Sequence, residues 1–401
     1  MSGAADLQNA SPRRLFFGAG RAREDFFSRT DRSAVSAWWW TVDRGSLAAI
    51  AALALIGLII LMAAGPVAAD RKGISNEFHF IVRQVVFLGP ALGLAFGASL
   101  LSPLGVRRVS LAVFLVGLAL LGLTLIVGPE INGAQRWLPI GPIAVQPSEF
   151  VKPAFVVLAA WMFAEQRKAP RFPGAAIAFG LYVVFAGLLA AQPDYGQTLL
   201  VTAVWLTLFF IAGQPWIWIA GFLGLSSVAA FIAYAHVPHV ASRIDRFLDP
   251  SSGDNYQPEV ALKAIEAGGP LGRGPGEGVV KHHLPDAHTD YIFAVAGEEY
   301  GLIAGLVLIV LFGTIVMRAY ARALGQTSPF AQLAACGLAT MIGVQAFINM
   351  GVSLSLLPAK GMTLPFVSYG GSSLLATALT FGFLLALTRR RPHGRRRSDF
   401  V

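Results

Sequence analysis

Residues 47–69 read LAAIAALALIGLIILMAAGPVAA and contain no charged side chain. A helix of about 20 apolar residues is long enough to cross the hydrocarbon core of a bilayer, so this stretch predicts a membrane span. The same composition continues along the chain of 401 residues, of which 55% are hydrophobic and only 13% are charged. The sequence therefore predicts an all-α polytopic membrane protein.

Nine further apolar stretches follow the first, which makes ten predicted spans. Two of them, 150–163 and 199–212, are shorter than an ideal span but complete a crossing once their flanking residues are included. The others are 80–101, 109–127, 175–191, 216–235, 291–316, 330–357 and 374–387.

The basic residues indicate which side of the membrane each segment faces. An even number of spans places both termini on one side, and cytoplasmic segments are enriched in lysine and arginine. With both termini in the cytoplasm, 20 of the 31 lysines and arginines fall in cytoplasmic segments. We therefore expect a basic cytoplasmic tail at residues 1–45, a membrane domain at 46–388 with a large extracytoplasmic loop at 236–290, and a second basic tail at 389–401.

Several other function classes have no sequence signature in this chain. The net charge of +9 follows from this topology and from attraction to anionic membrane lipids, so a nucleic-acid partner is not needed to explain it. The absence of a Walker loop, of a GxGxxG after a strand and of an HExxH argues against nucleotide-driven pumps and zincins. Cys336 is the single cysteine and lies in an apolar span, where we expect a packing role.

Residues 284–293, LPDAHTDYIF, join a long polar loop to an apolar span. Ionisable groups at a membrane mouth are costly unless they bind something, so Asp286, His288 and Asp290 are the first candidates for chemistry. An aspartate before an apolar run also commonly caps a helix, which leaves a purely structural interpretation of Asp290 open.

Two shorter outer connections carry further polar candidates. Arg136 lies in NGAQRWLP, residues 132–139. Glu149 and Lys152 would share one helix face, either as a buried structural pair or with the lysine reaching towards a substrate. Asp194 lies in the turn QPDYG, where it either stabilises the turn or serves as a second functional carboxylate.

The predicted loop 236–290 contains two arginines and many glycines. Arg243 and Arg246 are three residues apart, a spacing that suits either a solvated helix face or a phosphate. Six glycines lie between residues 268 and 278, which predicts a mobile or re-entrant segment whose backbone approaches a ligand closely. His282 and His283 are adjacent and point different ways on most backbones, so a dedicated zinc site is not expected.

The last outer connection, residues 357–373, reads LPAKGMTLPFVSYGGSS. Prolines and glycines interrupt an otherwise apolar stretch, which is typical of a broken helix that lines a cavity. Lys360 would face that cavity, although an ordinary turn with a snorkelling lysine is the alternative.

Six short motifs, in this order along the chain, resemble the SEDS family (shape, elongation, division and sporulation) of membrane-embedded peptidoglycan polymerases. They are RWL at 136–138, QPSE at 146–149, QPD at 192–194, LPDAHTD at 284–290, GEE at 297–299 and PFVSYGGSS at 365–373. The resemblance covers residues 45–388. The PDAH string and the basic tails are more similar to the division members, FtsW, than to the elongation members, RodA, although Asp286 replaces the more usual glutamate.

The resemblance implies a reaction on lipid II, an inverting glycosyl transfer that releases undecaprenyl pyrophosphate. In the family the aspartate that ends the outer-loop motif is regarded as essential, and here it falls on Asp290. Its carboxylate is suited to act as a general base or to hold a divalent cation, Mg²⁺ or Mn²⁺, on the pyrophosphate, and we expect no other cofactor. The residues expected to bind the substrate or shape its site are Arg136, Glu149, Lys152, Asp194, Arg243, His288, Lys360 and Ser368.

The resemblance also implies partners and a location. The expected partners are lipid II, a class B penicillin-binding transpeptidase of the FtsI kind, other membrane proteins of the division complex, and lipids, all at the septum of a bacterial inner membrane. A lipid II flippase, an elongation-type polymerase of the RodA kind and a non-catalytic scaffold are the alternatives. A flippase needs polar groups along the whole crossing, whereas these candidates gather at the outer face, which favours the polymerase.

Overall fold

The computed structural model describes residues 33–131, 133–141, 143–236, 241, 245, 256–358 and 361–390. Two residues proposed from sequence as phosphate contacts, Arg243 and Lys360, lie outside the described residues, as do segments 1–32 and 391–401 of the two predicted tails.

Helices dominate the described part of the chain, with one short hairpin. The hairpin pairs strands β1 (Leu138–Ile140) and β2 (Ile143–Val145) in antiparallel register, Leu138 opposite Val145. The helices are α1 (Ala34–Thr41), α2 (Arg44–Arg71), α3 (His79–Ser99), α4 (Pro103–Val127), α5 (Pro147–Lys168), α6 (Gly174–Ala191), α7 (Tyr195–Ile211), α8 (Trp216–His236), α9 (Tyr256–Gly268), α10 (Ile292–Leu324), α11 (Pro329–Ser353) and α12 (Gly371–Thr388).

The helices confirm the predicted all-α polytopic membrane fold. Within the described residues, eight helices are long and apolar enough to cross a membrane, and α7 and the Trp216–Val228 part of α8 are shorter apolar helices. Each of the ten predicted spans coincides with one of these ten helices. Large apolar side chains point outwards from several of them, including Val86, Ile126 and Val310, as expected where lipid rather than water is the solvent.

Three helices form the inside of the bundle and carry the polar candidates. In α5, α11 and α12, 83–89% of the most apolar window is buried, compared with 17–50% in the other membrane-length helices. Helix α5 packs against α4, α6, α7, α11 and α12, so it has no lipid-facing side on which to leave a charge. Polar groups on α5 must therefore find partners within the protein.

Glycines allow two close approaches that hold the last outer connection in place. A Cβ on Gly57 of α2 would lie 2.6 Å from the carbonyl oxygen of Phe366, and a Cβ on Gly382 of α12 would lie 2.8 Å from that of Ala95 in α3. Only a residue without a side chain permits such contacts, as in other tightly packed membrane helices. The segment 364–370 is thereby held against α2, and α12 against α3.

Helix α10 bends sharply at Gly301, whose φ of 72° and ψ of −171° are not helical. A Cβ at this position would lie 2.4 Å from the backbone nitrogen of Gly272, and φ is in the region that favours glycine. The bend separates residues 292–300, which pack against α9, from the membrane-length part that follows.

The glycine-rich segment 268–278 has a defined conformation, so the prediction of a mobile segment close to a ligand is wrong. Glu298 accepts hydrogen bonds from the backbone N–H groups of Val280 (2.6 Å) and Lys281 (2.8 Å). Glu299 accepts from the N–H of Gly278 at 3.1 Å and pairs with the buried ammonium of Lys281. The glycines bring their backbone close to these two carboxylates of the same chain rather than to a ligand.

We predict that Glu299→Gln destabilises this segment, because the change leaves the buried Lys281 ammonium without its counter-charge. Loss of one partner of a buried ion pair costs about 3 kcal/mol or more. We expect a lower Tm in detergent and faster amide hydrogen exchange over residues 274–281. The exposed Glu277 of the same segment provides the control, and Glu277→Gln should change neither quantity. Wild-type exchange in Glu299→Gln would contradict the anchoring role.

Candidate functional site

Asp290 lies at the end of a tight turn, immediately before α10. The backbone N–H groups of Thr289 and Asp290 donate to the carbonyl oxygen of Asp286, at 3.0 and 3.1 Å. Asp286 itself has a φ of 51°, a conformation that aspartate adopts more readily than most residues. The N-cap residue of α10 is Tyr291, so Asp290 is not the helix cap that the structural interpretation required.

Two side chains from other parts of the fold hold this turn. Asn349 of α11 donates to the carbonyl oxygens of Asp290 (2.8 Å) and Met362 (2.6 Å). Ser368 donates to the carbonyl oxygen of Thr289 at 2.5 Å and accepts from the N–H of Leu364 at 2.7 Å. Ser368 therefore orients the turn through the backbone, a different role from the substrate contact expected from sequence.

The Asp290 carboxylate faces the segment after the last broken stretch of sequence. A Cβ on Gly361 would lie 2.8 Å from Asp290 Oδ2, so the two residues are in contact distance. Burial, together with the neighbouring charge of Asp286, raises the pKa of Asp290 to about 7. A carboxylate with this pKa exchanges a proton readily near neutral pH.

Arg136 and Asp194 form an ion pair close enough to influence Asp290. Arg136 Nε is 3.7 Å from Asp194 Oδ2, and Arg136 Nη2 donates to the carbonyl oxygen of Pro193 at 2.5 Å. Asp194 also accepts from the N–H of Gln197 at the start of α7, and burial raises its pKa. Asp194 thus combines the two roles left open by the sequence: it caps a helix and places a carboxylate near Asp290.

Lys152 is buried inside the bundle. Its side chain is 2% exposed, and its ammonium donates to Glu149 Oε1 (2.9 Å), Gln197 Oε1 (2.9 Å) and Gln345 Oε1 (3.4 Å). An ammonium has three N–H donors, so these three acceptors satisfy it. The expected reach of Lys152 towards a substrate is not seen, and the structural pairing with Glu149 is.

The Lys152 network is nevertheless connected to the loop that holds Asp290. Gln345 donates to the carbonyl oxygen of Thr363 at 2.9 Å, two residues from Gly361. Gln197, which donates to Glu149 at 2.7 Å, is also the residue whose N–H Asp194 caps. The network therefore joins α5, α7 and α11 beneath the candidate site.

His288 is buried against aromatic rings on the other side of the turn. Its ring centroid is 4.6 Å from that of Phe80 and 5.6 Å from that of Tyr369. Burial and the charge of Lys72 lower the pKa of His288 to about 4, so the imidazole is neutral near neutral pH. Its Nδ1 is buried with no hydrogen-bond partner in the described structure.

A cavity of about 160 Å³ lies beside the turn and contains two cations that the sequence analysis missed. Its lining includes Arg71 and Lys72 at the end of α2 and the turn residues 284–288. Arg71 donates to the carbonyl oxygen of His282 at 2.9 Å, and the Lys72 ammonium is 5.3 Å from the centre of the Phe80 ring. A basic pair on the side predicted to be extracytoplasmic runs against the positive-inside bias, and that exception was the available signal.

The described residues contain no group of three or more His, Cys, Asp and Glu side chains placed to hold a metal ion. Asp290 and Asp286 could supply one or two carboxylate ligands. Mg²⁺ commonly keeps several waters and takes its other ligands from a substrate phosphate, so such a pair suits an ion that arrives with a pyrophosphate.

The arrangement has the parts that a transfer reaction at an anionic leaving group requires. Asp290 can accept a proton, while Arg71, Lys72 and Arg136 provide positive charge on either side of it. The charged groups are held by backbone and amide contacts from distant elements, so their positions are set before any substrate binds.

Comparisons with known proteins agree with this geometry. A family model described as a cell cycle protein (FtsW, RodA, SpoVE) matches residues 44–393. A probable peptidoglycan glycosyltransferase FtsW of Caulobacter vibrioides is 46% identical over 366 residues, covering 91% of this chain and 94% of that protein. A protein of the same name from Thiomicrospira cyclica is 38% identical over 87% of this chain and 93% of its own length.

Solved structures show the same fold. A chain from a study titled "Structural coordination of polymerization and crosslinking by a peptidoglycan synthase complex" superposes with a TM-score of 0.73 at 32% identity, covering 87% of this chain and 98% of that one. The rod shape determining protein RodA of Thermus thermophilus gives a TM-score of 0.64 at 29% identity, covering 88% and 99%. With the motifs, the fold and these matches in agreement, the chain belongs to the FtsW/RodA/SpoVE family of membrane proteins, and among the relatives described it is more similar to the FtsW members.

Proposed function

We propose that this chain is a peptidoglycan glycosyltransferase of the FtsW type, which polymerises lipid II with Asp290 as its general base. The observation that carries the assignment of the base is the Asp290 carboxylate itself, partly buried, with a pKa of about 7, and held by Asn349 and Gly361. The names of the FtsW relatives support the reaction class.

The reaction joins two lipid II molecules. The 4-hydroxyl oxygen of the acceptor GlcNAc attacks C1 of the donor MurNAc, and the bond from C1 to the pyrophosphate oxygen breaks with inversion at C1. The hydroxyl proton passes to the Asp290 carboxylate, and undecaprenyl pyrophosphate leaves with the electron pair of the broken bond. A base with a pKa near the working pH is efficient, because it is largely deprotonated and still accepts the proton readily.

Negative charge that develops on the leaving pyrophosphate requires nearby cations. We assign this role to Arg71 and Lys72, which line the cavity beside the Asp290 turn, and to Arg136. Lys152 acts as a positioning residue through its contacts with Glu149 and Gln345. Arg243 and Lys360 stay predictions from sequence, and a divalent cation, if required, would be held by Asp290 and the substrate phosphates.

The partner and location follow from the same proposal. One structural neighbour comes from a peptidoglycan synthase complex, which supports a partner that crosslinks the strands, and we propose a class B penicillin-binding transpeptidase. Other division proteins would join them at the septum of the inner membrane. Both termini are placed in the cytoplasm, since the basic residues then follow the positive-inside bias.

Asp290→Asn is expected to abolish polymerisation of purified lipid II by at least about 100-fold, since the amide cannot accept the proton. The protein should keep its Tm, because asparagine is nearly isosteric. Glycan strands separated on a gel report the reaction, and Glu259→Gln, a half-exposed carboxylate change on α9, is the control. Strands made at the wild-type rate by Asp290→Asn would refute the assignment. Movement of labelled lipid II across vesicles by the wild type without any strands would instead identify a flippase.

The pH dependence of the rate tests the pKa of Asp290 directly. Asp290 must be deprotonated to act, so kcat/KM should fall about tenfold per pH unit below a pH of about 7. Asp286 raises that pKa, and Asp286→Asn should therefore move the acidic limb to lower pH while asparagine preserves the turn. Glu259→Gln should leave the limb in place. An unchanged limb in Asp286→Asn would contradict Asp290 as the titrating base.

Lys72 and Lys152 are expected to respond oppositely to replacement by methionine. Lys72→Met should lower kcat/KM by about 10- to 100-fold with little change in Tm, because a charged contact to pyrophosphate is worth roughly 1.5–3 kcal/mol. Lys152→Met should instead lower the Tm, since it strands the buried Glu149. Adding Glu149→Gln should restore both stability and activity.

A Lys152→Met protein that is stable but inactive, and that Glu149→Gln does not rescue, would return Lys152 to the substrate. Wild-type kinetics in Lys72→Met would remove Lys72 from it. Lys263→Met on the exposed face of α9 serves as the control for loss of a positive charge on the same side of the protein.

A further inference from the structure

A second and larger cavity, of about 530 Å³, lies at the end of the bundle opposite Asp290. It is enclosed by the start of α4, the end of α10, the loop to α11, and the end of α12. Three arginines line it, Arg322, Arg389 and Arg390, and the lining residues that the structure describes include no aspartate or glutamate. A cavity of this size is within the range of small-molecule sites, roughly 300–1,000 Å³.

The positive charge of this cavity is only partly neutralised. Arg322 Nη2 donates to Asp43 Oδ1 at 3.1 Å, but Asp43 also accepts from Arg318 Nε at 3.0 Å and from the hydroxyl of Ser46 at 2.8 Å. One carboxylate thus serves two guanidinium groups. The other terminal nitrogen of Arg322, Nη1, is buried and has no hydrogen-bond partner in the described structure.

Further donors lie on the same lining. Ser328 is the N-cap residue of α11, and its side chain makes no capping hydrogen bond. The first amides of a helix carry partial positive charge and favour an anion, which adds to the arginine charge. Gln326 and Thr327 contribute further polar side chains. A buried guanidinium nitrogen without a partner is costly, and an anionic oxygen within this cavity would satisfy it.

The surroundings indicate where that anion comes from. Apolar residues of α10 and α12 line part of the cavity, among them Ala321 and Leu387. On the outer surface of the same end of α10, Met317 and Leu324 are 70% and 72% exposed, positions that suit contact with acyl chains. The orientation inferred from the basic residues places this end at the cytoplasmic leaflet, where anionic lipids are concentrated.

We infer that this cavity is a binding site for the phosphate headgroup of an anionic phospholipid, with Arg322 and Arg390 as its principal cations. The lipid would neutralise the charge that Asp43 leaves uncompensated and would fasten the ends of α10 and α12 to each other. The site is separate from the Asp290 region, and the inference does not depend on the glycosyltransferase proposal.

Binding is measured on the purified full-length protein in a neutral detergent, without any substrate for polymerisation. Phosphatidylglycerol is expected to raise the Tm with increasing concentration, while phosphatidylcholine and inorganic phosphate have little effect. Equal stabilisation by phosphatidylcholine would overturn the requirement for negative charge. Equal stabilisation by inorganic phosphate would overturn the assignment to a lipid.

Two arginines that share Asp43 provide a matched pair of variants. Arg318 pairs with Asp43 as Arg322 does but does not line the cavity. Arg318→Gln should therefore lose some stability and keep its response to phosphatidylglycerol, whereas Arg322→Gln should weaken the apparent affinity at least about tenfold, the loss of one charge-assisted contact. The exposed Arg390→Gln gives a variant in which folding is not at risk, and it should also weaken the response. Wild-type affinity in both Arg322→Gln and Arg390→Gln would refute the site.

Discussion

Asn349 donates hydrogen bonds from one amide nitrogen to the carbonyl oxygens of Asp290 and Met362, 2.8 and 2.6 Å away. This side chain joins the turn before α10 to the segment before α12 and places Asp290 against Gly361. The position of the Asp290 carboxylate, and hence its raised pKa, depends on that contact. Ser368 supports the same turn one residue earlier, through the carbonyl oxygen of Thr289.

The cost of placing charge inside a membrane protein explains much of the remaining structure. Lys152 has three acceptors, Glu149, Gln197 and Gln345, because an ammonium in a helix buried on all sides has no water to turn to. Glu298 and Glu299 are likewise satisfied by backbone N–H groups and by Lys281. These networks hold α5, α7, α11 and the glycine-rich segment in fixed positions around the site. Asp290 differs from them, because it keeps partial exposure and a pKa suited to proton transfer.

The two ends of the bundle use charge differently. Near Asp290, cations and carboxylates alternate, so a substrate carrying a pyrophosphate and a hydroxyl meets both an attractive charge and a base. At the opposite end, arginines outnumber the one carboxylate, Asp43, that two of them share. An excess of positive charge there suits permanent contact with the anionic surface of a membrane rather than turnover of a substrate.

The sequence by itself determined the spans, their order and the identity of the outer-loop motif that contains Asp290. Hydrophobicity over about 20 residues is a local property that the bilayer imposes, so residues 47–69 could be recognised as a span without knowledge of any neighbour. Only the tertiary structure decided that Lys152 faces Gln345, that Glu298 and Glu299 anchor the glycine-rich segment, and that Arg71 and Lys72 lie beside His288. Those partners are far apart in the chain. Whether a buried charge meets a protein group or a substrate depends on which helices pack together, and no local pattern records that choice.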